Sequence, residues 1–413
     1  MVDFTLTPRQ RELRQIAHDF AMDVVLPAAE KADRVPEPDK AFDWSIIREG
    51  SKRGLRTLTV PKEYGGEGAN VLTCALVGEQ ICYGDLGIGV AFDQTWKIMT
   101  TIARLTNEEQ RRRWLPRIVE DPEFLLGIAM TEPMHGSDNI LPYEKTMETR
   151  AERRGDTWIL NGTKRYISNG GLAKLYYVVA RTAFDRPLAE SLTGFLVPAD
   201  APGFTVTEVW DKLGQRAVQN GTLRFENVEV PDADRVLEVG KAAPTMAAFL
   251  LRHGSNIQAG ASVLGVAQRA YDLAHQYAFE RVQGGEPLIA HELQRVRLAR
   301  MAMKIQAARS YLWFGACDCG QETFDPKHAS LAKIFAAETA VEVCRDALEL
   351  WGAAGYMRKN PIEKLMRDAL SFLHSDGTND VLALKAAAFI ADEKPDPSAR
   401  RYCGRTFEAA MGR

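Results

Sequence analysis

The period of the hydrophobic pattern changes twice along this chain, which constrains it to a β segment set between two helical ones. In the first third, apolar residues recur every three or four positions. Thr7-Pro8-Arg9-Gln10 reads as a capping box with proline at the first helical position. Leu13, Ile16, Ala17, Phe20 and Val24 then share one face. A second box is read at Thr106-Asn107-Glu108-Glu109, ahead of Trp114, Leu115, Ile118 and Val119. Past Phe124 the period shortens. Arg154-Gly155-Asp156 is a hairpin turn, 176–180 and 195–197 read as buried strands, and Leu223, Phe225, Val228 and Val230 alternate with charged residues up to Pro231. The helical period returns near Ala243, in Ala-rich stretches near 244–280, 288–318 and 327–352 and a shorter one near 379–391. Short breaks between long helices imply antiparallel neighbours, hence a bundle. The expected organisation is mainly α with a β insert: a helical domain over 1–123, a β domain over 124–237, a helix bundle over 238–392 and a tail over 393–413.

With 413 residues, the chain is long enough for two or three domains and a large core. Its net charge of −3 implies neither nucleic acid nor an anionic membrane as partner. There is no apolar run long enough for a membrane span and no signal-peptide pattern at Met1-Val2-Asp3-Phe4. The six cysteines are scattered without metal-ligand spacing, so reduced thiols, no metal and a cytoplasmic location are expected.

Several segments carry more than fold. One is Thr131-Glu132-Pro133-Met134-His135-Gly136-Ser137-Asp138, at the end of an apolar run. Another is Asn161-Gly162-Thr163-Lys164-Arg165-Tyr166-Ile167-Ser168-Asn169. Glu280-Arg281, Trp351-Gly352-Ala353-Ala354-Gly355-Tyr356 and Glu363-Lys364-Leu365-Met366-Arg367-Asp368 follow in the bundle. The last leads to His374-Ser375-Asp376-Gly377-Thr378. Together these segments resemble the acyl-CoA dehydrogenase family over nearly the whole chain.

The resemblance implies a three-domain fold, with a barrel-like middle domain and a C-terminal four-helix bundle, and an oxidoreductase of acyl-CoA metabolism. It implies FAD as cofactor, an acyl-CoA substrate, an electron-transfer flavoprotein as acceptor and a homotetramer. Ile128, Met130, Thr131, Gly136, Ser137, Tyr166, Ile167 and Ser168 are expected around the flavin. Arg281, Gln283, Glu349, Gly352 and Ala353 are expected at its diphosphate, some of them across a subunit interface, and Thr378 and Asp380 nearby. Ser137, Arg252, His253, Ser255, Asn256 and Gly377 are expected along the substrate.

The family's catalytic glutamate position is held here by Asp376, which draws the carboxylate back by about one C–C bond, ~1.5 Å. A base here must take an α-proton while hydride leaves the β-carbon. Asp93, in Val90-Ala91-Phe92-Asp93-Gln94-Thr95, is a possible second acid, with a satisfied cap or turn carboxylate as the other reading. Other departures are Gly284 for Phe, Glu349 and Glu292 for Gln, and a longer segment containing Ile140-Leu141-Pro142-Tyr143. They point to a branched, cyclic or otherwise atypical acyl group. Two alternatives stay open. A nitroalkane-oxidase-like flavin oxidase also uses Asp as base, although its later arginine is Ala383 here; the other is a non-catalytic subunit of a hetero-oligomer.

Overall fold

The structure is a computed structural model that describes residues 4–136 and 147–393. Ser137, Asp138, the Ile140–Tyr143 insertion, Cys403 and nearly all of the tail lie outside the described residues.

The N-terminal region is helical. α1 (Pro8–Phe20) starts at the Thr7 box, with both reciprocal hydrogen bonds made to Gln10. A π-helical turn over Ala21–Val25 joins it to α2 (Leu26–Ala32). That wider turn slips the buried face by one residue, so Val25 is buried where Val24 was expected. α3 (Trp44–Lys52), α4 (Val71–Gly84), α5 (Leu86–Leu105) and α6 (Glu108–Glu120) follow. The box of α6 sits one residue later than read, on Asn107 and Gln110, because Gln110 supplies the reciprocal side chain.

The middle region is one eight-stranded mixed sheet. Its strands are β1 (Leu126–Ala129), β2 (Arg150–Arg154), β3 (Thr157–Ser168), β4 (Leu175–Arg181), β5 (Leu192–Pro198), β6 (Phe204–Val209), β7 (Asn220–Pro231) and β8 (Arg235–Val236). They run in the order β6-β7-β3-β2-β4-β5-β8, and β1 pairs with β4 in parallel. β2 and β3 close at Arg154↔Thr157 over a Gly155-Asp156 turn. There Gly155 has φ +62°, a conformation glycine adopts without steric cost.

The bundle begins with α7 (Ala242–Arg252) and α8 (Ser255–Glu280). The long stretch near 244–280 is therefore two helices, split at His253-Gly254, where Gly254 takes φ +75°. The break at 283–287 holds a small hairpin of β9 (Val282–Gln283) and β10 (Glu286–Pro287). α9 (Glu292–Asp318), α10 (Pro326–Trp351), α11 (Ile362–Leu370) and α12 (Asn379–Asp392) complete it. Small residues let α8 lie close to its neighbours. A Cβ on Gly265 would stand 2.2 Å from the Glu79 carbonyl oxygen on α4. The shared core of α8, α9 and α10 is largely Ala, with Ala259, Ala270, Ala308, Ala336 and Ala340 buried.

The segment Glu363–Asp368 is a clamp between α11 and the N-terminal region. Lys364 Nζ reaches Asp85 Oδ2 at 2.5 Å and Asp368 Oδ2 at 2.6 Å. The Arg367 fork meets both Asp33 oxygens, at 2.9 and 2.7 Å, and also Glu363. Asp85 also caps α5 through Ile88 N–H, so the clamp fixes where that helix starts.

Candidate active site

α5 is buried along most of its length and carries two charges into that setting. Asp93 and Lys97 stand four residues apart, so they share a helix face. Lys97 Nζ lies 2.5 Å from Asp93 Oδ2 and 2.7 Å from Asp376 Oδ2. The Asp93 and Lys97 side chains are 2% and 5% exposed, against 22% for Asp376, so the cluster opens toward solvent at Asp376. Burial acts against charge on Lys97, but Asp376 and then Asp93 reverse this and hold its ammonium above the usual lysine range. Burial pushes the Asp93 carboxyl up; Lys97 pulls it back and the charge of Asp376 pushes it up further, to about 6. Asp93 and Asp376 are thus brought together as acids of one site. Lys97, which joins them, was missed in the sequence, where a lysine four residues after Asp93 was its signal.

Asp376 sits on a left-handed backbone, φ +54°, followed by Gly377 at φ +93°. Aspartate tolerates this conformation better than most residues. The turn is held from both sides. Lys333 of α10 donates to the Phe372 carbonyl at 2.8 Å, to the Gly377 carbonyl at 2.9 Å and to Asn379 Oδ1 at 2.9 Å. Asn256 of α8, expected along the substrate, donates to the Asp376 carbonyl at 3.1 Å. Thr378 caps α12 through Val381 N–H.

A second group of residues forms around the end of β1. Lys164 is fully buried and donates to the Met130 carbonyl at 2.9 Å and to Glu132 Oε1 at 2.8 Å. Glu132 also accepts from the Glu148 and Thr149 amides. Burial alone would raise Glu132; the Lys164 charge and these donors outweigh it and hold the carboxyl below its usual range. The Arg165 amide donates to the Thr131 carbonyl at 2.8 Å. The motif residues Glu132 and Lys164 therefore fix Met130 and Thr131 against β3.

Next in β3, Tyr166 has φ +60° and is 53% exposed, an unusual state for a large ring. Asn220 donates to its carbonyl and to Ser168 Oγ. Trp210 lies 5.0 Å from the Tyr166 ring, and the Arg165 guanidinium lies over both. The half-exposed Tyr166 ring beside the Ser168 hydroxyl suits a flat, electron-accepting ring, so the residues present fit a flavin. Ile167 instead packs its side chain into the sheet core, and its carbonyl accepts from the Gly170 amide at 2.9 Å. Asn169 joins the two groups: its Nδ2 donates to the Ala91 carbonyl on α5 and the Leu126 carbonyl on β1.

The remaining expected residues lie elsewhere. Arg281 follows α8, whereas Asn256 is its second residue, so roughly 37 Å of helix at 1.5 Å per residue separates them. Arg281 donates to Gln283 Oε1, and Gly352 and Ala353 form the turn after α10. Within one chain these cannot join the Asp376 cluster. Glu349 pairs with Arg297 at 3.1 Å on the bundle surface, with its own side chain exposed. Asp380 is exposed in the first turn of α12. Arg252 donates to the Gln321 carbonyl, and His253 stacks on Phe249 at 4.0 Å beside Ser255, the first residue of α8. Arg252 and His253 line a cleft of about 940 Å³ with Thr59, Thr100 and Arg104, and Asp376 is not among its lining residues.

Comparison with known proteins agrees with this architecture along the chain. Residues 7–121, 127–228 and 253–391 match the family models for the N-terminal, middle and C-terminal domains of acyl-CoA dehydrogenase. An acyl-CoA dehydrogenase of Bacillus subtilis is 33% identical over 93% of this chain and 98% of its own. A 3-sulfinopropanoyl-CoA desulfinase of Paraburkholderia xenovorans is 32% identical over 95% and 98%. The structure of butyryl-CoA dehydrogenase from Megasphaera elsdenii superposes with a TM-score of 0.87 at 30% identity, covering 94% of this chain and all of that one. These matches cover the three regions of the chain, and the chain belongs to the acyl-CoA dehydrogenase family of oxidoreductases.

Proposed function

We propose that this enzyme is an FAD-dependent dehydrogenase of an acyl-CoA thioester in which Asp376 removes the α-proton. The observation that carries this reading is the Asp376 carboxylate itself. It is partly open to solvent, on a turn gripped by Asn256 and Lys333, with an ammonium 2.7 Å behind it. Helix α5, which carries that ammonium, is also tied by Asn169 to the strand ends that fit a flavin.

In this mechanism Met130, Thr131, Tyr166 and Ser168 hold the isoalloxazine, with Ile128, Gly136 and the Ile167 backbone beside them. Arg281, Gln283, Glu349, Gly352 and Ala353 serve the diphosphate of a neighbouring subunit, with Thr378 and Asp380 near the cofactor. FAD, when bound, supplies the acceptor for the hydride that leaves the β-carbon. Asp376 takes the α-proton, while its turn and Gly377 keep the backbone in place beside the thioester. A base one methylene shorter, with charged groups behind it, supports a branched, cyclic or otherwise atypical acyl group.

The homotetramer is supported by apolar side chains left exposed on the bundle, among them Phe279, Leu293, Val296, Met303 and Leu384. The distance between Arg281 and Asn256 supports it too, since a site needing both calls for a second chain. An electron-transfer flavoprotein is the proposed electron acceptor. A cytoplasmic location is supported by the free, buried thiols of Cys74, Cys82 and Cys344. Among the described residues no helix is long and apolar enough to cross a membrane.

Anaerobic mixing of the yellow holoenzyme with a panel of straight, branched and cyclic acyl-CoA thioesters tests the reading. At least one is expected to bleach the flavin within seconds, and the reduced flavin is expected to react slowly with oxygen. Bleaching by nitroethane alone, with fast reoxidation by oxygen, would overturn it in favour of the oxidase. A purified protein without flavin would favour the non-catalytic subunit.

A further inference from the structure

We infer that Lys97 is the positioning residue for Asp376, and that Asp93 balances the Lys97 charge so that Asp376 can still accept a proton. This rests on the reading of Asp376 as the base. An ammonium 2.7 Å from a base both helps and harms. It fixes the carboxylate in one direction, but its charge works against the proton transfer that the reaction requires. With Lys97 alone, taking a proton turns a neutral buried pair into a buried cation. With Asp93 ionised on the far side, the same step turns a cluster of charge −1 into a neutral one. Burial favours the second course, because it penalises net charge.

The geometry fits this division of labour. Asp93 Oδ2 lies 2.5 Å from Lys97, and Asp93 Oδ1 is buried with no partner among the described residues, so the ammonium is this carboxylate's support. A second cation near Asp376 among the described residues is Lys333, and its three protons are engaged by Phe372, Gly377 and Asn379. Its pKa is pushed down to about 8, by burial first, with Asp376 acting in the opposite direction. His374 stands two residues before Asp376 and Asn256 lies on its carbonyl. On α4, the buried Cys74 and Cys82 thiols near Asp93 are held well above the usual thiol range, chiefly by burial, and stay neutral. Lys97 is therefore the cation bonded to the base, and Asp93 the anion that offsets it.

In the step itself, the α C–H bond breaks and its proton moves to Asp376. The electron pair left behind forms the new C=C bond as hydride leaves the β-carbon for the oxidised flavin. The charge change falls on Asp376, within reach of both α5 residues.

The test reads protonation without relying on turnover. Infrared titration of the holoenzyme follows the protonated-carboxyl band of Asp376, as the difference between each protein and the same protein with Asp376→Asn. With Asp93→Asn, Asp376 is expected to take its proton about one to two pH units lower, as Coulomb attraction to a now unbalanced ammonium at an effective dielectric of about 20 requires. With Lys97→Met it is expected to take the proton at a higher pH than in the wild type, and Lys97→Arg is expected to return it toward the wild-type value. The acid limb of flavin reduction by the thioester that bleaches the wild type is expected to move the same way, with about a tenfold lower plateau in Asp93→Asn. Should Lys97→Met fail to fold, Asp93→Asn and Lys97→Arg, which keep size or charge, carry the comparison. An Asp376 titration unchanged by Asp93→Asn would overturn the charge-balancing role. So would a Lys97→Met enzyme in which Asp376 takes its proton at the wild-type pH. Failure of the base reading looks different: the flavin of Asp376→Asn would be reduced by the thioester at the wild-type rate.

Discussion

Asp376→Asn is expected to slow bleaching of the flavin by acyl-CoA at least 10²-fold, and toward 10⁴-fold, the range over which general bases contribute. The substitution is nearly isosteric. Asparagine shares aspartate's tolerance of the left-handed backbone, so the turn at φ +54° survives. The backbone N–H and the contacts of Asn256 and Lys333 to main-chain carbonyls do not depend on the side chain. The carboxamide oxygen can still accept from Lys97, and the remaining Asp93–Lys97 pair is neutral. What is lost is a place for the proton. Stopped-flow bleaching, with flavin content and circular dichroism as controls, measures the effect. An Asp93→Asn enzyme that no longer bleaches, beside an Asp376→Asn enzyme that still does, would move the base to α5.

Glu132→Gln is expected to cost about 3–5 kcal/mol of stability, because it strands a buried ammonium. Lys164 is fully buried and its charge is met by Glu132, with the Met130 carbonyl as second acceptor. Urea or thermal unfolding reads the loss. The double variant Glu132→Gln/Lys164→Met should lose less than Glu132→Gln alone, since it buries no unpaired charge. A single-variant cost below about 1 kcal/mol would contradict the account. The pH dependence follows from the lowered Glu132 pKa. An unfolded glutamate titrates near 4.3. The contribution of the ion pair is therefore present above about that pH and is lost as pH falls through the lower folded value; burial holds Lys164 below the usual lysine range, so the pair also weakens in alkali. Glu132→Gln should flatten that acid limb of the stability curve. Since this pair pins Met130 and Thr131, the same variant should also release FAD more readily.

Much of the architecture was legible in the sequence because its signals are local. The Thr7 box, the Gly155-Asp156 turn and the alternation in β7 each fix one element. Where the reading slipped, the cause was also local. The π turn at Ala21–Val25 leaves no mark in side-chain spacing, and Gly254 breaks an otherwise continuous apolar pattern. The site was legible in a different way. Motifs pointed to Asp376, Tyr166 and Thr131 as candidates, whereas the cluster that surrounds Asp376 comes from α5, α8 and α10. A contact such as Lys97 to Asp376 spans 279 positions, and no period or spacing reports it. Lys97 and Lys333 look like ordinary helix-surface lysines until the fold buries them. The same holds for Glu363–Asp368, where the motif marks the family but its role as a clamp onto Asp33 and Asp85 needs three dimensions.

The most direct test of the central claim is chemical analysis of the thioester after a single anaerobic turnover of the holoenzyme, beside the Asp376→Asn enzyme. The account predicts one α,β-unsaturated thioester formed for each flavin bleached by the wild type, and almost none over the same time by the variant. Bleaching without an unsaturated product, or equal product from both proteins, would contradict it.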